Sequence, residues 1–177
     1  MARWYVMRDL KRANAKERAY DVLADAGFEA FTPQRWEVVT RGGRKERVLK
    51  AVIPDLLFVH ADKPRLDEEL KRIPSLQYRY QRGHKIDDPM TVGDAEMERF
   101  IRALEATRED SEAKFFKPEE MTAEMVGKEV RIIGGELNGY TGKLLKMRGS
   151  KRRWLLVELP GLLSAAVEVQ PEYVELI

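Results

Sequence analysis

Hydrophobic and polar residues alternate along several short segments of this chain, as they do in strands that have one covered face. Residues 4–7 and 28–32 are rich in β-forming side chains and predict two strands. Residues 56–59 form a continuous apolar run, which predicts a strand covered on both faces at the centre of a sheet. The segments 36–40 and 45–49 predict a hairpin, because the two glycines between them suit a tight turn.

Helical spacing appears in three other segments. The cap residue Asn14 and the glycine at Gly27 predict a helix that ends near residue 26. Pro64 is suited to the first turn of a short helix over 65–72. A longer helix is predicted over 94–108, where the apolar residues at helical spacing are Met97, Phe100, Ile101 and Leu104.

A further strand is predicted before the last of these helices. Leu76, Tyr78 and Tyr80 alternate with polar residues, so we expect the three apolar side chains on one face of a sheet. The resulting order of strands and helices predicts an α+β domain over residues 1–110, in which helices flank a mostly antiparallel sheet.

The pattern of polar and apolar residues changes after this domain. Residues 111–122 are polar, contain Pro118 and show no periodicity, which predicts a linker. Residues 123–177 contain short apolar runs that are separated by glycine turns. This spacing predicts a second domain, a small all-β barrel.

The composition is that of a globular protein, with 44% hydrophobic and 35% charged residues. There is no cysteine, which excludes disulfides, thiolate nucleophiles and cysteine metal sites. No apolar run reaches the roughly 18 residues of a membrane span, and the first residues lack the apolar segment of a signal peptide. These features predict a cytoplasmic protein that does not enter a membrane.

The formal net charge of +2 conceals an uneven distribution of charge. Residues 1–50 hold twelve Lys and Arg against seven Asp and Glu, and residues 143–153 hold six Lys and Arg with no acid. Local excesses of this kind indicate contact with a polyanion. The alternative is that these side chains are solvated and only keep the protein soluble.

No catalytic or metal site is predicted. The string GGELNGYTGK resembles a phosphate-binding loop, but Leu137 stands where the first glycine is required and Leu144 stands where Ser or Thr is required. The two histidines, His60 and His84, lack the companions of a zinc motif. Asp87-Asp88 precedes a proline, which suits a turn better than acid–base catalysis. We therefore expect no enzyme activity and no cofactor.

Four segments resemble one known family over nearly the whole chain: WYVMR, IPDLLFVH, GKEVRIIGGELNGYTGKLLKM and AAVEVQPEYVELI. They are similar to the N-terminal domain of NusG-type transcription elongation factors followed by a KOW domain. The resemblance implies an NGN-like domain over 1–110 and an SH3-like barrel over 123–177. It also implies a monomeric factor that suppresses pausing or termination and catalyses no reaction.

In this family an apolar pocket of the first domain binds the clamp helices of the largest subunit of RNA polymerase. The matching positions here are Trp4, Tyr5, Ile53, Pro54 and Leu56. The sequence departs from the housekeeping pattern, in which the proline is followed by glycine and an aromatic residue. This departure resembles specialised paralogues of the RfaH and UpxY kinds, and a specialised paralogue is our interpretation.

The resemblance also implies contact with the upstream non-template DNA strand. The basic residues around the first predicted helix are expected to contact phosphates, and two later arginines beside tyrosines are expected to add charge and stacking. These residues are Lys11, Arg12, Lys16, Arg18, Arg79 and Arg82. The alternative is that Tyr78 and Tyr80 are core residues and that their arginine neighbours are only solvated.

The KOW domain of this family recruits Rho or a small-subunit ribosomal protein. Two segments remain as alternatives for that contact, a basic turn and the apolar end of a later turn. Their residues are Arg148, Lys151, Arg152 and Arg153 in the first, and Leu162 and Leu163 in the second. Six glycines disfavour a helical form of this domain, so we expect it to stay β. A ribosome-associated or RNA-binding KOW protein is the alternative function.

Overall fold

The computed structural model describes residues 1–11, 17–80, 88–107 and 113–177. The chain divides into two compact units, Met1–Asp94 and Ala95–Ile177. This division falls inside the predicted first domain, because the helix after Asp94 belongs to the second unit by its contacts. The domain boundaries at residues 110 and 122 stay predictions.

The first unit consists of antiparallel strands and two helices. In chain order they are β1 (Arg3–Asp9), α1 (Ala19–Asp25), β2 (Glu29–Phe31), β3 (Gln34–Arg41), β4 (Arg44–Ala51), β5 (Leu56–Ala61), α2 (Lys63–Leu70), β6 (Leu76–Tyr78) and β7 (Thr91–Val92). The main sheet has the order β2-β5-β1-β6, and β7 also pairs with β1. The α+β class predicted for this region is confirmed, and so is the central position of β5.

Both helices of the first unit pack on one face of this sheet. Leu23 of α1 and Leu66 of α2 are fully buried there against residues of β1, β5 and β6. The sheet residues of this core are Tyr5, Met7, Leu57, Val59, Ala61 and Leu76. Burial of each large side chain contributes about 1.5–3 kcal/mol to folding, so this layer stabilises the unit.

The two ends of α1 are determined in different ways. Its C-terminal end follows the predicted pattern, since Gly27 has a φ of 83° that other residues rarely adopt. At its N-terminal end the buried Asp9 of β1 accepts a hydrogen bond of 2.8 Å from the backbone N–H of Ala19 through Oδ2. The predicted cap residue Asn14 lies outside the described residues.

The predicted hairpin is present as β3 and β4, which pair only with each other. Gly42 and Gly43 form its tip with φ values of 56° and 76°. Two consecutive residues with positive φ give the turn that matches the twist of a two-residue hairpin. The hairpin is thus a separate ribbon of the first unit.

The strand predicted over residues 76–80 is shorter than expected. β6 ends at Tyr78, and Tyr80 makes only an isolated bridge to Pro89. Tyr80 is 45% exposed, so it does not join the core to which Leu76 and Tyr78 belong. The reason is that the sheet partner of this segment, β1, already pairs with β7 beyond Met7.

The second unit contains a helix and a six-stranded antiparallel sheet. Its elements are α3 (Asp94–Glu105, whose first residue closes the first unit), β8 (Lys114–Phe116), β9 (Val126–Ile132), β10 (Thr141–Leu145), β11 (Arg153–Leu159), β12 (Leu163–Val169) and β13 (Val174–Leu176). The order of the strands is β13-β9-β10-β11-β12-β8. The predicted all-β character is confirmed for residues 126–176, and the closure of these strands into an SH3-like barrel stays a prediction.

The segment predicted as a linker contains β8, which adds to the edge of β12. Phe116 and Met121 pack with Met125 on a buried cluster of Leu145, Trp154, Leu156 and Ala166. The segment predicted as a linker thus contains a short strand and is attached to the sheet, because Phe116 and Met121 supply apolar contacts from a largely polar segment. The remaining residues, 111 and 112, lie outside the described residues.

Helix α3 contacts the turn between β9 and β10 within the second unit. Arg99 donates a hydrogen bond of 2.6 Å to the carbonyl of Thr141, and its guanidinium lies 4.5 Å from the ring centre of Tyr140. Arg102 donates to the carbonyls of Glu136 and Asn138 at 3.0 and 3.3 Å. Three carbonyls that a turn leaves unpaired thus gain charged donors.

Candidate functional site

The main sheet of the first unit has two faces that differ in what covers them. The pairing of β1 with β5 sets Trp4 opposite His60 and Val6 opposite Phe58 on one face, while Tyr5 opposite Val59 lies on the face packed against α1 and α2. We call the first of these the Trp4 face. Its apolar residues are Trp4, Val6, Phe31, Leu56, Phe58 and Val92.

The residues of the predicted pocket do not all lie on the Trp4 face. Trp4 and Leu56 do, and they are 4% and 2% exposed in the whole chain. Tyr5 points to the opposite face, where its ring packs edge-on against Tyr78 with centroids 5.5 Å apart. Tyr5 is therefore a core residue on the opposite face from Trp4, because neighbouring strand residues face opposite ways, and its part in a polymerase contact stays a prediction.

The turn that precedes β5 forms the accessible rim of the Trp4 face. Ile53 is half-buried and Pro54 is exposed, and the N–H of Leu56 donates to the carbonyl of Ile53 at 3.1 Å. Asp55 pairs with Arg8 at 3.1 Å, and the carbonyl of Asp55 accepts a bond from the N–H of Asp9. The charge of Asp55 is thus balanced by Arg8, which the sequence did not indicate.

The other end of the Trp4 face is polar. The ring of His60 lies 5.1 Å from Trp4, and its Nδ1 is 3.1 Å from a carboxylate oxygen of Glu29. Its Nε2 is buried and lies 3.6 Å from Asp94. The sequence alone did not reveal these contacts of His60, because its acidic neighbours come from segments about thirty residues away on either side. Among the described residues, no group of three or more His, Asp or Glu side chains has an arrangement suited to a metal ion.

Of the basic residues predicted around the first helix, two are described. Lys11 is exposed, and Arg18 pairs with Asp21 at 3.1 Å. The backbone of this segment is held by Asp9, whose two carboxylate oxygens accept bonds from the N–H groups of Lys11 and Ala19. Arg12 and Lys16 lie outside the described residues, and so does Arg82.

The tyrosines beside Arg79 have separate roles. The hydroxyl of Tyr78 donates a hydrogen bond of 2.7 Å to Asp67, and burial together with this bond raises the pKa of Tyr78 well above its usual value. Tyr78 is therefore a core residue, as in the alternative stated above. Tyr80 is 45% exposed and remains available for stacking, and Arg79 is half-buried next to it.

The β3–β4 hairpin carries a tryptophan contact on one face and a group of ion pairs on the other. One face carries Trp36, which is 46% exposed, with the guanidinium of Arg47 lying 4.9 Å from its ring centre. On the other face Glu37 pairs with Arg35 and Lys50 at 3.2 and 3.4 Å. Hydrogen bonds from these two cations lower the pKa of Glu37. The sequence indicated a basic tip, but it did not show that the charges of the hairpin pair with one another.

In the second unit the two segments predicted for a partner lie at opposite ends of one hairpin. Arg153 pairs with Val169 at one end of β11 and β12, and Leu159 pairs with Leu163 at the other. Six residue steps of about 3.3 Å separate them by about 20 Å, so they cannot form one contact site. Leu163 is buried, and Leu162 is half-buried.

The four basic residues predicted in the first segment precede or begin β11. Arg148, Lys151 and Arg153 are exposed, and Arg152 is exposed but pairs with Glu168 at 3.1 Å. They follow one another around a turn that holds no acidic residue. The structure therefore brings together the basic residues of the prediction and separates them from Leu162 and Leu163.

Comparison with models of known protein families matches residues 2–101 to NusG, described as transcription termination factor nusG. The matched residues cover the first unit and the start of α3. Comparison with individually curated proteins gives no match. Within the described part of the chain, no helix has both the length and the apolar character that crossing a membrane requires.

Proposed function

The chain belongs to the NusG family of transcription termination and elongation factors, and we propose that it binds the clamp helices of RNA polymerase and promotes processive elongation. Members of this family are transcription factors and not enzymes, and they work with RNA polymerase. The finer proposal is that this chain suppresses pausing or termination by stabilising one state of the polymerase.

One observation carries the proposal: the turn before β5 leaves Pro54 exposed and Ile53 half-buried at one end of the Trp4 face. The Trp4 face itself is buried, since Trp4 and Leu56 are 4% and 2% exposed and Phe58 is fully buried. A partner helix would therefore contact the rim of this face.

The accessible part of this face is its rim. Ile53 and Pro54 are the predicted contact residues with exposed surface, whereas Leu56 lies directly behind them and is buried. We propose that Ile53 and Pro54 contact the clamp helices and that Leu56 holds the rim in position. The ion pair of Arg8 with Asp55 borders this contact and would favour a partner helix with complementary charge.

The action on elongation follows from binding one conformation more tightly than another. A ligand shifts an equilibrium only by its difference in affinity for the two states. A factor that touches both sides of the DNA cleft binds the closed clamp better than the open clamp. We propose that Lys11, Arg79 and Tyr80 add contacts to the upstream non-template strand, since Lys11 and Tyr80 are exposed and Arg79 lies beside Tyr80.

For the second unit we propose a KOW domain that recruits a further protein, either Rho or a small-subunit ribosomal protein. The turn at Pro160–Leu162 is the better of the two predicted segments for a protein contact. It presents a half-buried leucine next to an exposed proline and glycine. The interpretation as a specialised paralogue rests on Pro54-Asp55-Leu56 alone and stays a prediction.

The decisive experiment is a pull-down of core RNA polymerase by the full chain carrying Ile53→Glu. A carboxylate placed in an apolar contact loses the burial of isoleucine and must be desolvated, so we expect at least about tenfold weaker binding. The same variant should lose its effect on pause duration in a transcription assay.

Ala24→Glu is the matched control, because Ala24 is an exposed residue of α1 on the opposite side of the sheet. It adds the same charge, and we expect it to bind polymerase as the unaltered chain does. Circular dichroism of both variants checks that they fold. Full binding by a folded Ile53→Glu variant would exclude the rim as the polymerase contact.

A further inference from the structure

The turn between β10 and β11 concentrates positive charge in the second unit. We call residues 146–153 the basic turn. Its cationic side chains are Lys146, Arg148, Lys151, Arg152 and Arg153, and all of them are exposed. No acidic residue occurs between Leu137 and Val157, so the turn, all of β10 and the first five residues of β11 lack carboxylates.

Most of these cations have no ion-pair partner among the described residues. Among the described residues, Arg152 pairs with Glu168 at 3.1 Å, whereas Lys146, Arg148, Lys151 and Arg153 have no carboxylate within ion-pair distance. Four unpaired like charges in one turn repel one another, which is unfavourable in the free protein. A bound polyanion would remove that repulsion.

The basic turn is held in a defined conformation. The hydroxyl oxygen of Ser150 accepts hydrogen bonds from the N–H of Arg152 at 3.2 Å and from the indole N–H of Trp154 at 3.1 Å. Gly149 supplies a φ of 74° that the turn requires. Because the backbone is already ordered, binding would cost little further conformational entropy in the turn.

The chemistry of the surface distinguishes between possible partners. Protein interfaces depend on buried aromatic or aliphatic anchors at their centre. None of the exposed large hydrophobic residues of the described chain lies in the basic turn, and Trp154 beneath it is only 4% exposed. Interfaces with nucleic acid are more polar and more positive than those with proteins, and phosphates accept hydrogen bonds from Arg and Lys.

We propose that the basic turn binds the sugar–phosphate backbone of nucleic acid without reading its sequence. The turn exposes no aromatic ring for base stacking, so the contact is electrostatic. RNA and DNA share this phosphate chemistry. The site is separate from the proposed contacts of the first unit and does not depend on polymerase binding.

The experiment uses the full chain and fluorescence anisotropy with a short single-stranded RNA, the DNA strand of the same sequence and its duplex. The test variant is Arg148→Gln with Lys151→Gln. The control is Arg131→Gln with Lys117→Gln, which removes one Arg and one Lys that lie toward the far end of the same sheet. Both variants thus have the same net charge and the same composition.

We expect the test variant to bind about five- to tenfold more weakly at low salt, with the salt slope reduced by about 1.4 for single strands and 1.8 for duplex. The control should retain the affinity and slope of the unaltered chain. Equal losses in both variants would mean that only net charge matters, which overturns the site. A loss restricted to RNA, or to DNA, supports the site and identifies its natural ligand.

Polyglutamate serves as a polyanion that contains no phosphate. If polyglutamate binds the basic turn as tightly as the nucleic acids do, the natural partner is an acidic protein segment and the proposal is wrong. Because this binding measurement contains no polymerase, a negative result does not affect the function proposed above. Likewise, a negative result with Ile53→Glu does not affect the proposed nucleic-acid site, because that variant leaves the basic turn unchanged.

Discussion

The hairpin β3–β4 and the hairpin β10–β11 both place arginines and lysines around a glycine turn, and each includes one tryptophan. In β3–β4 the acids Glu37 and Glu46 pair with three of the cations, and Trp36 is 46% exposed beneath Arg47. In β10–β11 the turn holds no acid, Glu158 lies at the far end of β11, and Trp154 is buried. The number of basic residues is therefore a poor guide to the charge that a surface offers to a ligand.

The two tryptophans differ because the surfaces beneath them differ. Trp154 packs on Leu145, Leu156 and Ala166 and is covered by Lys114, whose ammonium lies 5.2 Å from the ring centre. Trp36 lies on a two-stranded ribbon that pairs with no other strand of its unit. A ribbon of two strands has no second layer, so one face of its side chains stays exposed.

The largest effect that follows from this difference is on stability. Trp154→Ala should lower the free energy of unfolding of the second unit by about 3–5 kcal/mol, because it removes a large side chain from a packed cluster. Trp36→Ala should cost about 0.5 kcal/mol, since the ring is half exposed already. Urea unfolding followed by circular dichroism measures both, and similar losses would contradict the assigned packing.

A smaller effect is expected at the residue that orders the basic turn. Ser150→Ala removes the acceptor of two hydrogen bonds and leaves the buried indole N–H of Trp154 without its partner, which should cost about 1–2 kcal/mol. Ser150→Thr keeps the hydroxyl and is the control. The midpoint of urea unfolding distinguishes them, and equal midpoints would show that these hydrogen bonds do not stabilise the turn.

The smallest effect concerns the charges of the β3–β4 hairpin. Glu37→Gln with Glu46→Gln releases Arg35, Lys50 and Arg41 from their carboxylates without adding a cation. Binding of duplex DNA should strengthen by a few-fold, and the salt slope should steepen by about 1 to 2.

The control of equal charge is Glu68→Gln with Glu69→Gln. Both glutamates lie on α2 and pair with Lys71 and Arg72, which follow the helix. The double variant frees two cations at another place on the first unit. If this control strengthens DNA binding as much as the hairpin variant does, net charge explains the result. The pairing of charges within the hairpin would then be irrelevant to binding.

Much of the fold was predictable because its signals are local. The continuous apolar run at 56–59 is the central strand β5, and the helical spacing of Met97 and Phe100 is the buried side of α3. Seven glycines, Gly27 among them, have positive φ, whereas the predicted turn glycines Gly134 and Gly142 do not. β8 was missed because its three residues carry too little pattern to distinguish an edge strand from a linker.

The candidate site was predictable only in part, because its geometry depends on pairing between distant segments. The sequence indicated Trp4 and Leu56, but the register of β1 with β5 was needed to assign Tyr5 to the core. Likewise, the pairing of Asp55 with Arg8 joins residues far apart in the chain. No spacing rule within a single segment reveals such a contact.

By itself the sequence determined most of the strands and helices, the family, and the absence of cysteine chemistry, because periodicity, motifs and composition are properties of neighbouring residues. Only the tertiary structure decided which cations are neutralised and which tryptophan is covered. Ion pairs and burial depend on which distant side chains come within a few ångströms of one another. That is why the basic residues of 146–153 emerge as a candidate ligand site while those of β3–β4 largely balance their own acids.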